Sequence, residues 1–451
     1  MRKTLIKPVL KNPANVYRLK PSLSLFDAVS LMVSIVIGVG IFETTPDIAA
    51  QLPSITAIFG VWIFGALLSL CGALCYAELI ATHPENGGDY IYLQRAFGTW
   101  LGFVFAWGRI TIVQPGIIAA MAFPFAHFTI KSLALILNKP IGDDAVLPVA
   151  IIGILALTLL SCLGGRTGTK LQNALTVLKV FGLILISATA FLAPSVNSVS
   201  PVIEDSFNGF GIALILVMFT FGGWSDIAYV AAEVEHNQRN IPRAIIAAVV
   251  LVTLLYLFAN TGFLWALGHN GVAVSNALAV DALQMILPHY AQIIVAALIA
   301  ISALGAINAM LFTGARIGHS LGTDFPPFRW LAIGYGTSAG PLVSLLFLSA
   351  CSIGILLIMG SFERTVVYTT PVVWLFYLLS TLALFMFRKK STETRLFSVP
   401  FYPVIPICFA MACLYMCYSA IEYDLTGSSI SIGILLLGIP LYTLAKKRPP
   451  H

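Results

Sequence analysis

Apolar runs of about twenty residues recur along the chain from residue 24 to residue 445, and no other feature narrows the possible folds as much. A helical run of that length spans the ~30 Å hydrocarbon core of a bilayer. Inside lipid, every backbone amide and carbonyl must find its partner within the protein, so an apolar run of this kind has to be a helix. Charged residues make up 10% of the chain and the mean hydropathy is +0.93, whereas a soluble domain carries about 25% charged residues. The first run follows a charged stretch and lacks a small-residue cleavage site, so no leader is expected to be removed. Seven cysteines (Cys71, Cys75, Cys162, Cys351, Cys408, Cys413, Cys417) all fall in apolar segments. They read as small hydrophobes, not as a disulfide framework or metal site. The absence of an N-x-S/T sequon favours a bacterial membrane.

Hydropathy gives an all-α polytopic protein with 12 transmembrane helices near residues 24–45, 56–81, 97–129, 146–164, 170–193, 209–235, 242–268, 290–320, 339–360, 364–387, 400–420 and 428–445. With the N-terminus inside, 20 of the 25 Lys and Arg lie on the cytoplasmic side. Lys131, Lys139 and Arg364 are outside, and Arg109 and Lys179 lie within spans. The positive-inside rule therefore puts segments 1–23 and 446–451 in the cytoplasm. The net charge of +6 is accounted for by this asymmetry, and no nucleic-acid partner is inferred from it.

Two spans carry glycines where a helix would break. The first span reads "MVSIVIGVGIFETTP", with Gly38 and Gly40 one residue apart; the sixth reads "VMFTFGGWSDIAYVAAE", with Gly222 and Gly223 adjacent. Gly is also common in membrane helices for close packing. Breaks at corresponding positions of two five-helix halves, however, point to a transporter site, since irregular backbone at membrane depth must line protein or a cavity. Unwinding after Ile37 would present the amides of Val39, Gly40 and Ile41 at a new helix N-terminus, where a carboxylate binds well. Carbonyls near Val36 and from Phe219 to Gly222 would suit an ammonium. Such a site receives a zwitterion, which makes an α-amino acid the expected substrate.

The motifs around these breaks resemble the amino acid–polyamine–organocation (APC) superfamily of transporters. "GVGIF" is similar to the family's G-S-G-I-F, and "AELIATHPENGGDYIYLQRAFG" to its signature after span two. "FGGWSDIAYVAAEVEHNQRNIPRAI" resembles the corresponding stretch of the L-type amino acid transporters and their bacterial relatives. Further likenesses are "SCLGGRTGTKLQNALTVLK", "SALGAINAMLFTGARI" and "VVWLFYLLS", so the resemblance covers residues 24–445. It implies a LeuT-like 5+5 inverted repeat with discontinuous helices 1 and 6, the repeats at 24–193 and 209–387, and two extra helices at 400–445. It also implies alternating access by a monomeric unit without a cofactor or metal, and a small-molecule amino acid substrate. Animal members pair with a heavy-chain glycoprotein through a cysteine between spans three and four; the loop "KSLALILNKPIGDDAVLP" has none, so no covalent heavy-chain partner is expected.

Lys179 lies about ten residues into span five, or ~15 Å deep at ~1.5 Å per residue. A lysine there costs ~2.5–3.5 kcal/mol on insertion scales and so needs a partner. Gln172, Thr176 and Lys179 share one helical face. The resemblance makes Lys179 a tethered substitute for sodium, meeting span-one carbonyls near Val36 to Gly38 and the hydroxyl of Ser302. It likewise makes Phe219 an aromatic gate and places Trp224, Ser225 and Asn308 at the substrate, though each also suits helix packing. Val39 stands where the family has Ser or Thr, and Gln114 where L-type members often have Arg before Pro115. Arg109, Glu43 and Asp226 are further charges in the spans. Either acid is open to pairing with Arg109, selecting a basic side chain or carrying a proton. Glu78, Asp27 and Glu233 lie near helix ends, with no binding role expected.

Other classes fit less well. A channel needs a continuous polar pore, and here the polar groups gather at two breaks. An intramembrane enzyme needs a nucleophile–base or metal constellation, and no HExxH, GxSxG or paired-aspartate motif lies in the spans. The expected activity is sodium-independent exchange of neutral amino acids, with a cationic amino acid or polyamine exchanger, or a proton-coupled symporter, as alternatives.

Overall fold

Ser24 starts the first helix with a capping box, a hydroxyl three residues before a carboxylate. Its Oγ accepts from the Asp27 amide at 3.2 Å, and the Asp27 carboxylate accepts from the Ser24 amide at 3.0 Å. The computed structural model describes residues 23–83, 88–162, 169–194, 207–229, 234–288, 290–334, 342–390 and 397–446. The N-terminal segment 1–22, Glu233 and the side chain of Gln172 lie outside the described residues.

Helix α1 (Leu25–Val36) stops at the first glycine pair and α2 (Gly40–Gln51) resumes with a bend of 46°. Ser54 caps α3 (Ile55–Thr82) through the Ala57 amide. A short α4 (Asp89–Phe97) follows, then a chain turn at Gly98, whose φ of 100° suits glycine. Helices α5 (Thr99–Gly108) and α6 (Gln114–Leu137) form one rod joined by a π-helical turn, Arg109–Val113. Next come α7 (Val146–Cys162), α8 (Thr169–Ala190), α9 (Phe207–Thr220) and α10 (Asn237–Ala273). The chain ends with α11 (Leu278–Gln284), α12 (Ala291–Asp324), α13 (Leu342–Met359), α14 (Phe362–Lys390), α15 (Val404–Tyr423) and α16 (Leu425–Lys446).

Among the described residues, nine helical segments are long and apolar enough to cross a membrane, and α1 with α2 makes a tenth, bent one. Two shorter apolar helices cover Thr176–Ala190 and Gly209–Thr220. The protein is therefore a multi-pass membrane protein. Its outer faces display large apolar side chains such as Leu159, Phe181 and Leu254, which are 60–64% exposed. That is a lipid-facing surface, since a water-facing one rarely carries such a contiguous apolar area. The broken helices lie inside: Met32, Val33, Val39 and Ile41 are at most 2% exposed. Helix α2 packs on α9, α10 packs on α1, α2 and α3, and α12 and α14 both pack on α6.

Three local features differ from the sequence expectation. Helix α2 runs through Pro46 to Gln51, because a proline in the middle of this amphipathic helix is accommodated by neighbouring helices. The sixth span stops at Thr220, before the glycine pair, and among the described residues resumes as a 3₁₀ turn at Asp226–Tyr229. The loops after spans two and seven hold α4 and α11, which at nine and seven residues are too short for a membrane-length hydropathy window to register.

One end of the bundle is fastened by a buried ion pair. Arg388 at the end of α14 grips Glu78 near the end of α3 through both carboxylate oxygens, its Nε at 2.7 Å. The Val399 amide donates to the same carboxylate at 2.7 Å, and the guanidinium lies 3.7 Å from the Tyr402 ring centroid. Removing one partner of a buried pair strands the other charge, which costs ~3–5 kcal/mol. Glu78→Ala is therefore expected to lower the unfolding midpoint in detergent by several degrees, and a midpoint equal to wild type would show that the latch contributes little.

Candidate functional site

The two broken segments touch each other. A Cβ added at Gly40 would lie 2.9 Å from Thr220 Oγ1, and one at Gly223 only 2.5 Å from Ile35 Cγ2. Gly223 also has φ of 100°, a conformation that side-chain-bearing residues rarely adopt. The hydroxyls of Thr44 and Thr220 meet across the contact at 2.9 Å. Glycine is needed here because two irregular backbones approach within a side chain's width.

A tyrosine that the sequence reading did not single out ties the breaks together. Fully buried Tyr256 on α10 donates to the Val36 carbonyl at 3.0 Å, and its hydroxyl lies 3.2 Å from the Thr220 carbonyl. These are the last residues of α1 and α9, so one phenol serves both interrupted helix ends. A buried carbonyl that loses its donor costs ~1–3 kcal/mol. Tyr256→Phe is expected to slow exchange severalfold while the protein still folds; an unchanged rate would assign the hydroxyl a packing role only.

Beside the breaks lies a cavity of about 130 Å³. Its wall includes Gly38 and Gly40 from the first break, Phe219 and Gly222 from the second, and Arg109 and Asp226. The first amides of α2 to donate along the chain are those of Phe42 and Glu43, both to the Val39 carbonyl. The amides of Val39, Gly40 and Ile41 stand ahead of them at the positive end of the helix. The Val36 carbonyl also accepts from the Gly38 amide at 2.9 Å, so with Tyr256 it carries two donors and both its lone pairs are used. An ammonium would fall instead to the second break, where the Phe219 carbonyl accepts from Gly222 at 2.9 Å and keeps a lone pair.

The remaining candidate residues divide clearly. Phe219 is half-buried on the cavity wall, its ring 5.6 Å from that of Phe362 in an edge contact. Val36 lines the cavity, while the side chains of Val39 and Ile41 are wholly buried in the core. Trp224 stands off the wall: its indole stacks on Tyr377 at 5.1 Å and meets the edges of Tyr76 and Phe409. Ser225 Oγ lies 3.0 Å from the Tyr377 hydroxyl. Asn308 takes a hydrogen bond from Ser161 on α7 at 3.3 Å and is not part of the cavity wall. One helix face cannot be read from a motif alone, which is why packing claims Trp224 and Asn308.

The charges also sort themselves. Arg109 and Asp226 form an ion pair at 3.4 Å. Glu43 is not on the cavity wall, and the charges that act on it are Asp47 and Lys131. Lys179 is buried, with Nζ 3.5 Å from the Ser34 carbonyl of α1 and 3.9 Å from where a Cβ at Gly305 of α12 would stand. Buried Ser302 lies one turn before Gly305. Thr176, one turn before Lys179, donates to the Ser30 carbonyl at 3.3 Å. The ammonium thus meets α1 at Ser34, two residues earlier than the Val36–Gly38 stretch expected from the sequence, since Tyr256 and Gly38 already occupy the Val36 carbonyl. Gln114 donates to Thr313 Oγ1 at 3.2 Å.

Comparison with known proteins places these features in a family. The amino acid permease family matches residues 23–441. Among curated relatives, the large neutral amino acids transporter small subunit 2 of Oryctolagus cuniculus is 28% identical over 94% of this chain and 80% of its own. The serine/threonine exchanger SteT of Bacillus subtilis is 26% identical over 95% of this chain and 98% of its own. The human cystine/glutamate transporter is 25% identical over 95% and 85%.

Proposed function

The chain belongs to the amino acid permease family, and we propose that within it the protein is a sodium-independent exchanger of neutral amino acids working by alternating access. The observation that carries this reading is the meeting of two helix breaks on one cavity. Amides at the start of α2 suit a carboxylate and carbonyls of the second break suit an ammonium, so the pair receives a zwitterion without any added ion. The permease family and the three relatives are transporters, not enzymes. Two of the relatives are named for neutral amino acids, one for large neutral ones and one for serine and threonine.

Two features favour neutral substrates without sodium. Asp226, the acid on the cavity wall, is paired with Arg109, and Glu43 is off that wall, which leaves neither placed as a lone counter-charge for a basic side chain. Lys179 holds a fixed positive charge between α8, α1 and α12, the role a bound cation would otherwise fill. In this reading the described helices are twelve crossings, in 5+5 repeats at 24–193 and 209–387 with two further spans. Both termini are cytoplasmic, the membrane is a bacterial inner membrane, and no heavy chain is attached covalently.

Counterflow in proteoliposomes tests it. Vesicles loaded with each amino acid, agmatine or putrescine would be assayed for uptake of labelled alanine, leucine and arginine with and without sodium. Neutral amino acids are expected to stimulate uptake equally in both conditions. Exchange confined to arginine, lysine or polyamines would overturn the neutral assignment, and a requirement for a sodium gradient would overturn the role given to Lys179.

A further inference from the structure

The cavity beside the breaks is small for a receptor of amino acids. Its volume of about 130 Å³ is close to the ~150 Å³ of a protein cavity that takes up benzene, a molecule of six non-hydrogen atoms. The zwitterionic core of an α-amino acid already has five: the nitrogen, the α-carbon and the carboxylate. Alanine has six, whereas leucine and methionine have nine.

Part of the wall that sets this volume is built by α6 and α12. A Cβ at Gly314 would lie 3.2 Å from Gln114 Cγ, and one at Gly318 would lie 3.8 Å from Ile110 Cγ2, so the two helices run antiparallel. That register brings Met310 level with Ile117 and Ala306 level with Met121, and all four residues line the cavity. Met121 and Met310 are buried, at 5% and 8% exposed. Each carries three non-hydrogen atoms beyond its Cβ, and those atoms occupy volume that a smaller residue would add to the cavity. The third methionine on the wall, Met218, is held from α3, its sulfur accepting from Ser69 Oγ at 3.7 Å. The charged groups on the wall are answered within the protein: Asp226 pairs with Arg109, and Asp89 also acts on that guanidinium. The four residues on α6 and α12 offer apolar contact alone.

We propose that Met121 and Met310 determine the size limit of the site and restrict the protein to the smallest neutral amino acids, with alanine preferred. The methyl group of alanine uses the space left beside the zwitterion. A larger side chain has to displace buried thioethers from a close-packed wall. A methionine has three rotatable bonds and can repack, so larger substrates are penalised and not shut out. Serine adds a hydroxyl for which these four residues have no partner. This assignment rests on the amino acid exchange reading above.

The test compares substrates of increasing size in proteoliposomes containing the full chain. With wild type, alanine is expected to half-saturate exchange at a concentration at least about tenfold below leucine and methionine. In Met121→Ala/Met310→Ala the preference for alanine over leucine falls to about one or reverses, whatever the total rate, and each single variant moves part of the way. Ala306→Val narrows the same space and shifts preference from alanine toward glycine, which tests the limit even if the double variant folds poorly. Equal handling of alanine and leucine by wild type, or a preference for leucine, overturns the size limit and leaves the transport reading intact. An alanine preference that persists unchanged in the methionine variants and in Ala306→Val also overturns it. A wild type that exchanges no amino acid overturns the transport reading, and the size limit with it.

Discussion

Gly223→Val is expected to abolish amino acid exchange and to lower the unfolding midpoint in detergent. Two independent costs act at this position. A residue with a side chain held at φ of 100° carries ~1–3 kcal/mol of backbone strain. Its Cβ would also stand 2.5 Å from Ile35 Cγ2 and 3.6 Å from the Ile35 backbone carbon, and overpacking of that kind costs a further ~1–3 kcal/mol. Relief would push α1 away from the second break and pull apart the surfaces proposed to hold the substrate. Gly223→Ala meets both costs without the extra methyls and should be impaired but measurable. Gly354→Ala on α13, where nothing lies within 4 Å of the new Cβ, serves as the control and should match wild type in both assays. Normal exchange by Gly223→Val would mean that the close approach of the breaks has no part in transport.

Lys179→Ala is the second large effect expected. The ammonium is buried and touches the Ser34 carbonyl at 3.5 Å while lying 3.9 Å from the Cβ position of Gly305, so it sits where α8, α1 and α12 converge. Hydrogen bonds to charged groups contribute ~1.5–3 kcal/mol, which corresponds to roughly 10–150-fold in an equilibrium or rate. Exchange by Lys179→Ala should fall within that range or below it, in sodium-free and sodium buffers alike. Lys179→Arg keeps the charge, but the bulkier planar head meets a site that leaves about one methyl group beside Gly305, and it should rescue poorly. A Lys179→Ala protein exchanging at the wild-type rate would show that the ammonium is only stored in the bundle.

Most of the helical framework could be read along the chain, because the bilayer leaves so few alternatives. Most apolar runs of about twenty residues coincide with helix among the described residues, whereas the sixth stops at Thr220. Glycine pairs also marked both breaks, since unwound backbone at that depth needs positions free of side chains. Tyr256 was not legible: a tyrosine in an apolar helix looks like core until its hydroxyl is seen beside Val36 and Thr220. Nor was the side on which Asn308 and Trp224 fall, because helix rotation depends on neighbours distant in sequence. The Arg109–Asp226 pairing joins residues 117 positions apart, and the charge pattern left Glu43 equally available. The π turn that carries Arg109 has no residue signature of its own.

A structure of the protein determined with alanine or another exchanged substrate bound would test the central claim most directly. The account predicts the substrate carboxylate against the amides of Val39 to Ile41, its ammonium against carbonyls of Phe219 to Gly222, and its side chain in the cavity beside the breaks. A substrate bound away from the two breaks, or one whose carboxylate rests on Arg109 or Lys179 while the α2 amides stay unused, would contradict it.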